Sequence, residues 1–343
     1  MKGIGLVFAG GGGKGAYEIG VWKYLHEIGL EQHVKVVSGT SVGALNAALF
    51  VGSDYETAED LWLNISQNKI LTPKEISAEE IMKWLITHGC NMVFPVTMGV
   101  SKLASGTIML FEKIAQQVFN GVKGEYIFSR AGIKDMIAEG LDFDKLQSSD
   151  IACYATCVRC RELAIERFKL NEFTDEEITT LLLASSAIPV VFPNENFHGE
   201  FYCDGGIPIV GDNIPIQPVY DSGIETIFVV HLGRETLIDK EKFPNAKIIE
   251  IIPSENLGNM LEGTLDFSSE GAAHRLQLGY QDAKRILQPM RDIAIISIRN
   301  QIVLEEAQQD NKIFEKQKQR LDKEYRETKQ KMANDGLDKV GAE

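Results

Sequence analysis

The sequence predicts an α/β protein built on a mostly parallel sheet, and three observations predict it. A short apolar strand around Ile4 to Ala9 runs into a glycine-rich loop and then a helical pattern. A second apolar strand, Val34 to Val37, runs into a glycine-flanked turn and a second apolar helix. Sheet character returns after residue 150, again mixed with helix. Strands separated by helices pair in parallel through right-handed crossovers.

The elements follow in order. From Ala16 to Ile28 the apolar residues Ile19, Val21, Trp22, Leu25 and Ile28 recur at helical spacing, and Gly29 supplies a stop. Val42 to Phe50 reads as an apolar helix. Residues 53–150 read as a helical insertion. In it, Ser77-Ala78-Glu79-Glu80 fits a capping box opening a helix to Thr87, and Met92 to Phe119 is unusually apolar. Strands are expected at Ile151 to Val158 and Ala164 to Phe168. Thr174-Asp175-Glu176-Glu177 is a second capping box, starting a helix to about Ser186. Further strands are expected near Glu200 to Cys203, Thr226 to His231 and Lys247 to Ile252. After Pro253 the pattern turns helical. Residues 301–343 hold 9 basic and 10 acidic residues, with Phe314, Leu321, Tyr325 and Met332 as a thin apolar stripe. That stripe falls short of the sustained heptads of a coiled coil. The chain is thus expected in two parts: 1–255, containing the insertion at 53–150, and a helical extension, 256–343.

Composition narrows the function classes. Of 31 glycines, 12 fall in the first 52 residues, so the opening segment is where close backbone approaches are expected. The 35 basic and 49 acidic residues give a net charge of −14, against the basic footprint that nucleic acid requires. The same charge disfavours purely electrostatic docking on anionic lipid. The apolar run at Ile4 to Ala9 is too short for a signal-peptide core. The run from Leu181 to Phe192 is broken by Ser185, Ser186 and Pro189, and a membrane span needs ~20 apolar residues. Five cysteines, an odd number in a long chain, suggest reduced thiols. The expectation is a cytoplasmic protein, with peripheral membrane association and signal-less export left open. Cys153, Cys157 and Cys160 are read as buried thiols. Residues 157 and 160 point to opposite faces of a strand, which defeats shared metal ligation.

Two motifs carry chemistry. Gly39-Thr40-Ser41-Val42-Gly43 is a G-x-S-x-G turn between a strand and a helix, which would present Ser41 as a nucleophile at the sheet's carboxyl edge. Gly39 and Gly43 give the neighbouring segments room. The loop Gly10-Gly11-Gly12-Gly13-Lys14-Gly15 has three readings. A dinucleotide loop wants a carboxylate ending the second strand, where Ser38-Gly39-Thr40 stands instead. A phosphate loop fails at Phe8 and at Gly15. An oxyanion hole, in which glycine amides meet a tetrahedral intermediate, explains why the loop lies beside Ser41. Lys14 either orients the loop or is a solvated lysine.

A serine nucleophile needs a base. His231, ending a strand, is the one histidine suited to a Ser-His-Asp arrangement. Asp204, in Cys203-Asp204-Gly205-Gly206, is the other candidate, although Asp-Gly also makes ordinary turns.

The ordered set GGGGKG, GTSVG and DGG resembles the patatin-like phospholipase family. Gly15-Ala16 through Gly20-Val21, ASSAIPVVFP at Ala184 to Pro193, and Asn213-Ile214-Pro215 extend the resemblance over roughly residues 4–255. It implies a three-layer α/β/α fold and a Ser–Asp dyad without a catalytic histidine. Carried over, Ser41 is the nucleophile, Asp204 the base, and Gly10, Gly11, Gly12 and Gly13 the oxyanion hole. Lys14, Gly15, Gly39, Gly43, Gly205 and Gly206 are supporting motif residues. Lys14 stands where many members carry arginine. The implied activity is hydrolysis of lipid carboxylic esters, phospholipase A or lysophospholipase in type, through an acyl-enzyme and without cofactor or metal. The implied partner is a lipid ester at a membrane surface, with the C-terminal helix open to self-association or a protein partner. The competing class is a catalytically weak lipid-binding or regulatory protein that keeps the fold.

Overall fold

The computed structural model describes residues 3–66, 70, 128–189, 191–236 and 238–337. The predicted box at Ser77 to Glu80, the apolar stretch from Met92 to Phe119, and Cys90 lie outside them. The chain divides into two compact units, Met1–Arg285 and Ile286–Glu343.

The first unit is organised by β1 (Ile4–Phe8). Its side chains are all buried, so it can be covered on both faces, which parallel central strands require. A short 3-10 turn, Gly12–Gly15, leads into α1 (Ala16–Glu27). Then come β2 (Val34–Thr40), α2 (Val42–Gly52) and α3 (Tyr55–Leu63). Asp54 caps α3 by accepting from Thr57 N–H at 2.8 Å. After the undescribed stretch come α4 (Ala131–Gly140) and α5 (Phe143–Ser148).

Next are β3 (Ala152–Arg159), β4 (Ala164–Lys169), α6 (Asp175–Ser185), β5 (Glu195–Phe197) and β6 (Glu200–Asp204). The capping box expected at Thr174 and Glu177 opens α6, with both reciprocal bonds present. The first unit is completed by α7 (Gln217–Asp221), β7 (Thr226–Val230), β8 (Lys247–Ile251) and a π-helical turn at Met260–Thr264. It also takes in the start of α8 (Ser269–Leu337).

The strand order is β5-β6-β3-β2-β1-β7-β8, with β4 also on β3. β1 pairs in parallel with β2 and β7, β2 with β3, and β7 with β8. The mostly parallel sheet expected from the sequence is therefore present. The antiparallel pairings are confined to one end, where β3 takes β4 and β6, and β6 takes β5.

Helices cover both faces. On one, Val7, Val36, Ile227 and Val229 pack with Ile216 and with Val219 of α7. On the other, Phe8 meets Phe50 of α2 at 6.5 Å, and Phe50 meets Trp22 of α1 at 4.9 Å. All of α2 is buried, its one polar side chain, Asn46, included. Full burial of each such large side chain contributes about 1.5–3 kcal/mol. The start of α8 packs on α1. Tyr17 Oη donates to Asp282 Oδ2 at 3.1 Å, and a Cβ on Gly20 would lie 1.9 Å from Leu276 C=O.

In the second unit α8 continues as a single helix, exposing Ile293, Ile296, Val303, Leu304, Phe314 and Leu321 among others. Among the described residues, no helix is long and apolar enough to cross a membrane.

Candidate active site

The sheet register brings Ser41 and Asp204 together. Along β3, Ala152 to Thr156 pair with Val36 to Thr40 of β2. The next residue, Cys157, pairs with Asp204 of β6. The opposite edge of β3 is taken by β4 from Tyr154 to Arg159. β2 and β6 therefore share one edge and meet nearly end to end, with Ser41 leaving one and Asp204 ending the other.

Ser41 makes the turn from β2 to α2 alone, at φ 58° and ψ −127°. A non-glycine residue there is strained by about 1–3 kcal/mol, so its surroundings must hold it. Ser41 N–H donates to Ser185 Oγ at 2.9 Å, and Ser185 Oγ donates to Thr156 C=O at 2.7 Å. Thr40 Oγ1 donates to Asp212 C=O at 2.7 Å. Gly43 lets α2 press on the end of β1: a Cβ there would lie 2.5 Å from Phe8 C=O.

Asp204 is fixed by the same segment. Its N–H donates to Ala187 C=O at 2.9 Å, and Gly205 N–H donates to Ser185 C=O at 3.3 Å. Oδ1 accepts from Gly206 N–H at 2.7 Å. Ser41 and Asp204 are each only 5% exposed. Burial pushes the Asp204 carboxyl up to about 6, while Gly206 N–H, the Ser41 hydroxyl and the Arg130 charge pull it back. The Ser41 hydroxyl is thus close enough to favour the carboxylate, yet the buried Oδ2 makes no hydrogen bond of ordinary geometry among the described residues. Apo sites commonly hold such pairs loosely.

The glycine loop is bracketed by Asn213. Gly10 N–H donates to Asn213 C=O at 3.1 Å, and Asn213 Nδ2 donates to Gly10 C=O at 3.1 Å. The Gly10 amide is therefore engaged. Gly12 and Gly13 press on the π-helical turn and the residues after it. Added Cβ atoms would lie 2.1 Å from Thr264 C=O and 2.0 Å from Asp266 C=O. Arg275 locks this contact, donating to Glu262 C=O at 2.8 Å, Asp266 C=O at 3.0 Å, Gly13 C=O at 3.3 Å and Asp266 Oδ2 at 2.5 Å. Lys14 is half-buried; burial and the Arg275 charge lower its pKa. Gly15 C=O and Glu18 Oε2 accept from Asn46 Nδ2 at 3.0 and 2.7 Å, and Trp62 Nε1 donates to Asn46 Oδ1 at 3.0 Å. Burial raises the Glu18 carboxyl well above its usual range.

A cavity of about 40 Å³ opens beside Ser41. Its walls are largely apolar, with Leu45, Ile137, Leu182, Phe192, Leu265 and Phe267 among them. That volume holds a few water-sized groups rather than an acyl chain. A larger cavity, about 260 Å³, lies against α3 and α4; it shares Ile70 and Met136 with the first but does not include Ser41.

His231 sits on the other side of β1, at the end of β7. Its Nε2 is 3.1 Å from Glu250 of β8, and Glu250 in turn pairs with Lys240 at 2.7 Å. Burial lowers the His231 pKa. His26, His198 and His274 pair with Glu31, Glu177 and Glu255. Cys153, Cys157 and Cys203 are buried free thiols, and no metal-binding cluster occurs among the described residues.

Sequence reasoning missed Arg130, the clamping role of Ser185, and the buried Glu18–Asn46–Trp62 chain. Ser185 at least lay in the quoted ASSAIPVVFP stretch. Arg130 carried no signal, being outside every motif.

The chain belongs to the patatin-like phospholipase family, whose model matches residues 6–220. A 49-residue stretch, 14% of this chain, is 43% identical to the lysophospholipase nte1 of Aspergillus terreus, and spans 3% of that protein's length. Among solved structures, VipD from Legionella pneumophila is similar at 18% identity and a TM-score of 0.50, covering 84% of this chain and 67% of VipD. The type III effector ExoU of Pseudomonas aeruginosa is similar at 20% identity and a TM-score of 0.40, covering 84% of this chain and 53% of ExoU.

Proposed function

We propose that the protein hydrolyses acyl esters of phospholipids or lysophospholipids with Ser41 as nucleophile and Asp204 as base. The observation that carries this reading is the meeting of β2 and β6 on one edge of β3. That register supports a strained serine beside a buried carboxylate whose Oδ2 makes no hydrogen bond of ordinary geometry among the described residues.

The geometry supports the following chemistry. An ordinary aspartate is a weak base for a hydroxyl. Burial raises Asp204 to about 6, which keeps it ionised at neutral pH yet makes it more basic. Asp204 takes the proton as Ser41 Oγ attacks the ester carbonyl. The tetrahedral oxyanion forms beside the glycine loop, where Gly11, Gly12 and Gly13 supply amides, the Gly10 amide being engaged. Collapse expels the alcohol or lyso-lipid, which takes the proton from Asp204. Water, deprotonated by Asp204, then attacks the acyl-enzyme, and the fatty acid leaves as Ser41 Oγ takes that proton back from Asp204. The apolar wall beside Ser41 suits an acyl chain, and the cavity must widen to admit one. The first unit, Met1–Arg285, would carry this chemistry at a membrane surface, and the rest of α8 would serve a partner.

Labelling with a fluorophosphonate probe tests the nucleophile. Wild type is expected to label and Ser41→Ala is not. Folded wild type that resists the probe sinks this reading and favours a binding protein. A lipid-product comparison of wild type and Ser41→Ala on mixed phospholipids, lysophospholipids and triglyceride identifies the substrate.

A further inference from the structure

We propose that Arg130 is a positioning residue for the Ser41–Asp204 pair: it clamps the end of α6 that joins the two, and its buried charge favours the ionised base. The proposal rests on the dyad reading above.

The joint is residues 185–187. Ser185 Oγ accepts the Ser41 N–H, Ser185 C=O accepts the Gly205 N–H, and Ala187 C=O accepts the Asp204 N–H. A shift of this segment would move nucleophile and base together. Arg130 holds its other side. Nη1 donates to Ser186 C=O at 3.1 Å, and Nη2 donates to Ser186 Oγ at 3.0 Å and to Leu183 C=O. The guanidinium also lies 4.7 Å from the Phe192 ring centroid, and both Ser186 and Phe192 line the Ser41 cavity. A planar fork that bonds two carbonyls and a hydroxyl while stacking on a ring is a geometry lysine cannot reproduce.

The electrostatics point the same way. The end of α6 is the negative end of a helix, and the carbonyls there are taken by Arg130 and by the Gly205 N–H. Arg130 sits at that end with its side chain 5% exposed, so solvent screens it little. Its Nε has no hydrogen-bond partner among the described residues, and the nearest counter-charge, Glu195 Oε1, stands 3.6 Å away. Burial raises the Asp204 carboxyl, and the Arg130 charge joins the Gly206 N–H and the Ser41 hydroxyl in pulling it back. The other titratable groups interacting with Asp204 are the thiols of Cys157, raised by burial, and of Cys203, raised by its hydrogen bond with Cys160 and by burial. Lys134 faces Glu195 rather than the base.

The test is the pH dependence of kcat/KM for the full chain on p-nitrophenyl butyrate. Wild type should lose activity on acidification near pH 6, as Asp204 protonates. Arg130→Met should move that limb up by about one pH unit, with activity partly restored at alkaline pH. Arg130→Lys keeps the charge but not the fork, so its limb should stay put while kcat falls. Glu195→Gln frees the cation and should move the limb down; it also keeps the question open to measurement if Arg130→Met does not fold. A clamp without electrostatic influence would lower activity at every pH and leave the limbs of Arg130→Met and Glu195→Gln on the wild-type curve, overturning the charge role. Unchanged kcat in Arg130→Lys would overturn the clamp. Full activity in Asp204→Asn would instead remove the dyad reading on which both depend.

Discussion

β2 and β7 flank β1 and end at the same edge of the sheet. Ser41 follows one and His231 the other, and both are buried. The two corners differ in what surrounds them. Behind Ser41 a helix begins at once, and on the far side an antiparallel strand arrives to deliver Asp204. Behind His231 no α-helix comes before β8 among the described residues, only a 3-10 turn at Lys240–Lys242, and the imidazole is held by Glu250 from its own neighbour, β8. A reactive residue type at the carboxyl edge is therefore not enough. What distinguishes the corners is a strand running against the rest of the sheet.

That contrast can be broken by substitution. Ser41→Ala should abolish acyl-enzyme formation, a loss of about 10⁴ or more in kcat, measured by ester turnover and probe labelling. Asp204→Asn should cost about 10²–10⁴ in kcat. It should also stabilise the fold. The folded-state pKa of Asp204 lies above its unfolded value, so its contribution is complete below pH ~4 and lost as pH rises through about 6. An uncharged residue avoids that loss. Thermal unfolding at pH 8 should show the variant more stable by about 2–3 kcal/mol. Gly12→Ala, which drives a methyl toward Thr264 C=O at a positive φ, should cost about 10²-fold in kcat. His231→Gln should sharpen the comparison most quietly. Activity should stay within about threefold, with about 1–2 kcal/mol lost from stability as a buried contact goes. A dead but folded His231→Gln would reverse the assignment of the two corners.

The sequence made one side of the site readable and hid the other. Ser41 and the glycine loop sit in local strand–turn–helix patterns, so spacing alone points to them. Asp204 is different: an Asp-Gly-Gly turn is common, and only the family resemblance singled it out. Its position depends on Cys157 pairing with residue 204 one step after Thr156 pairs with Thr40, a register no local pattern encodes. The short β5 and α7 were missed because three and five residues carry too little periodicity. Arg130 was invisible for a related reason. Its partners are backbone carbonyls of a distant helix, and carbonyls leave no mark on residue type.

The carbonyls of Thr264 and Asp266, pressed on Gly12 and Gly13, bear on where the chain can be cut. The family match ends at residue 220, and the sequence pattern suggested a boundary at 255. A fragment ending at either point loses the wall of the glycine loop and the Arg275 lock; one ending at 220 also loses β7, the second neighbour of β1. The shortest expression fragment worth making runs through Arg285. Anyone transplanting this loop into a different protein would have to move residues 262–275 with it.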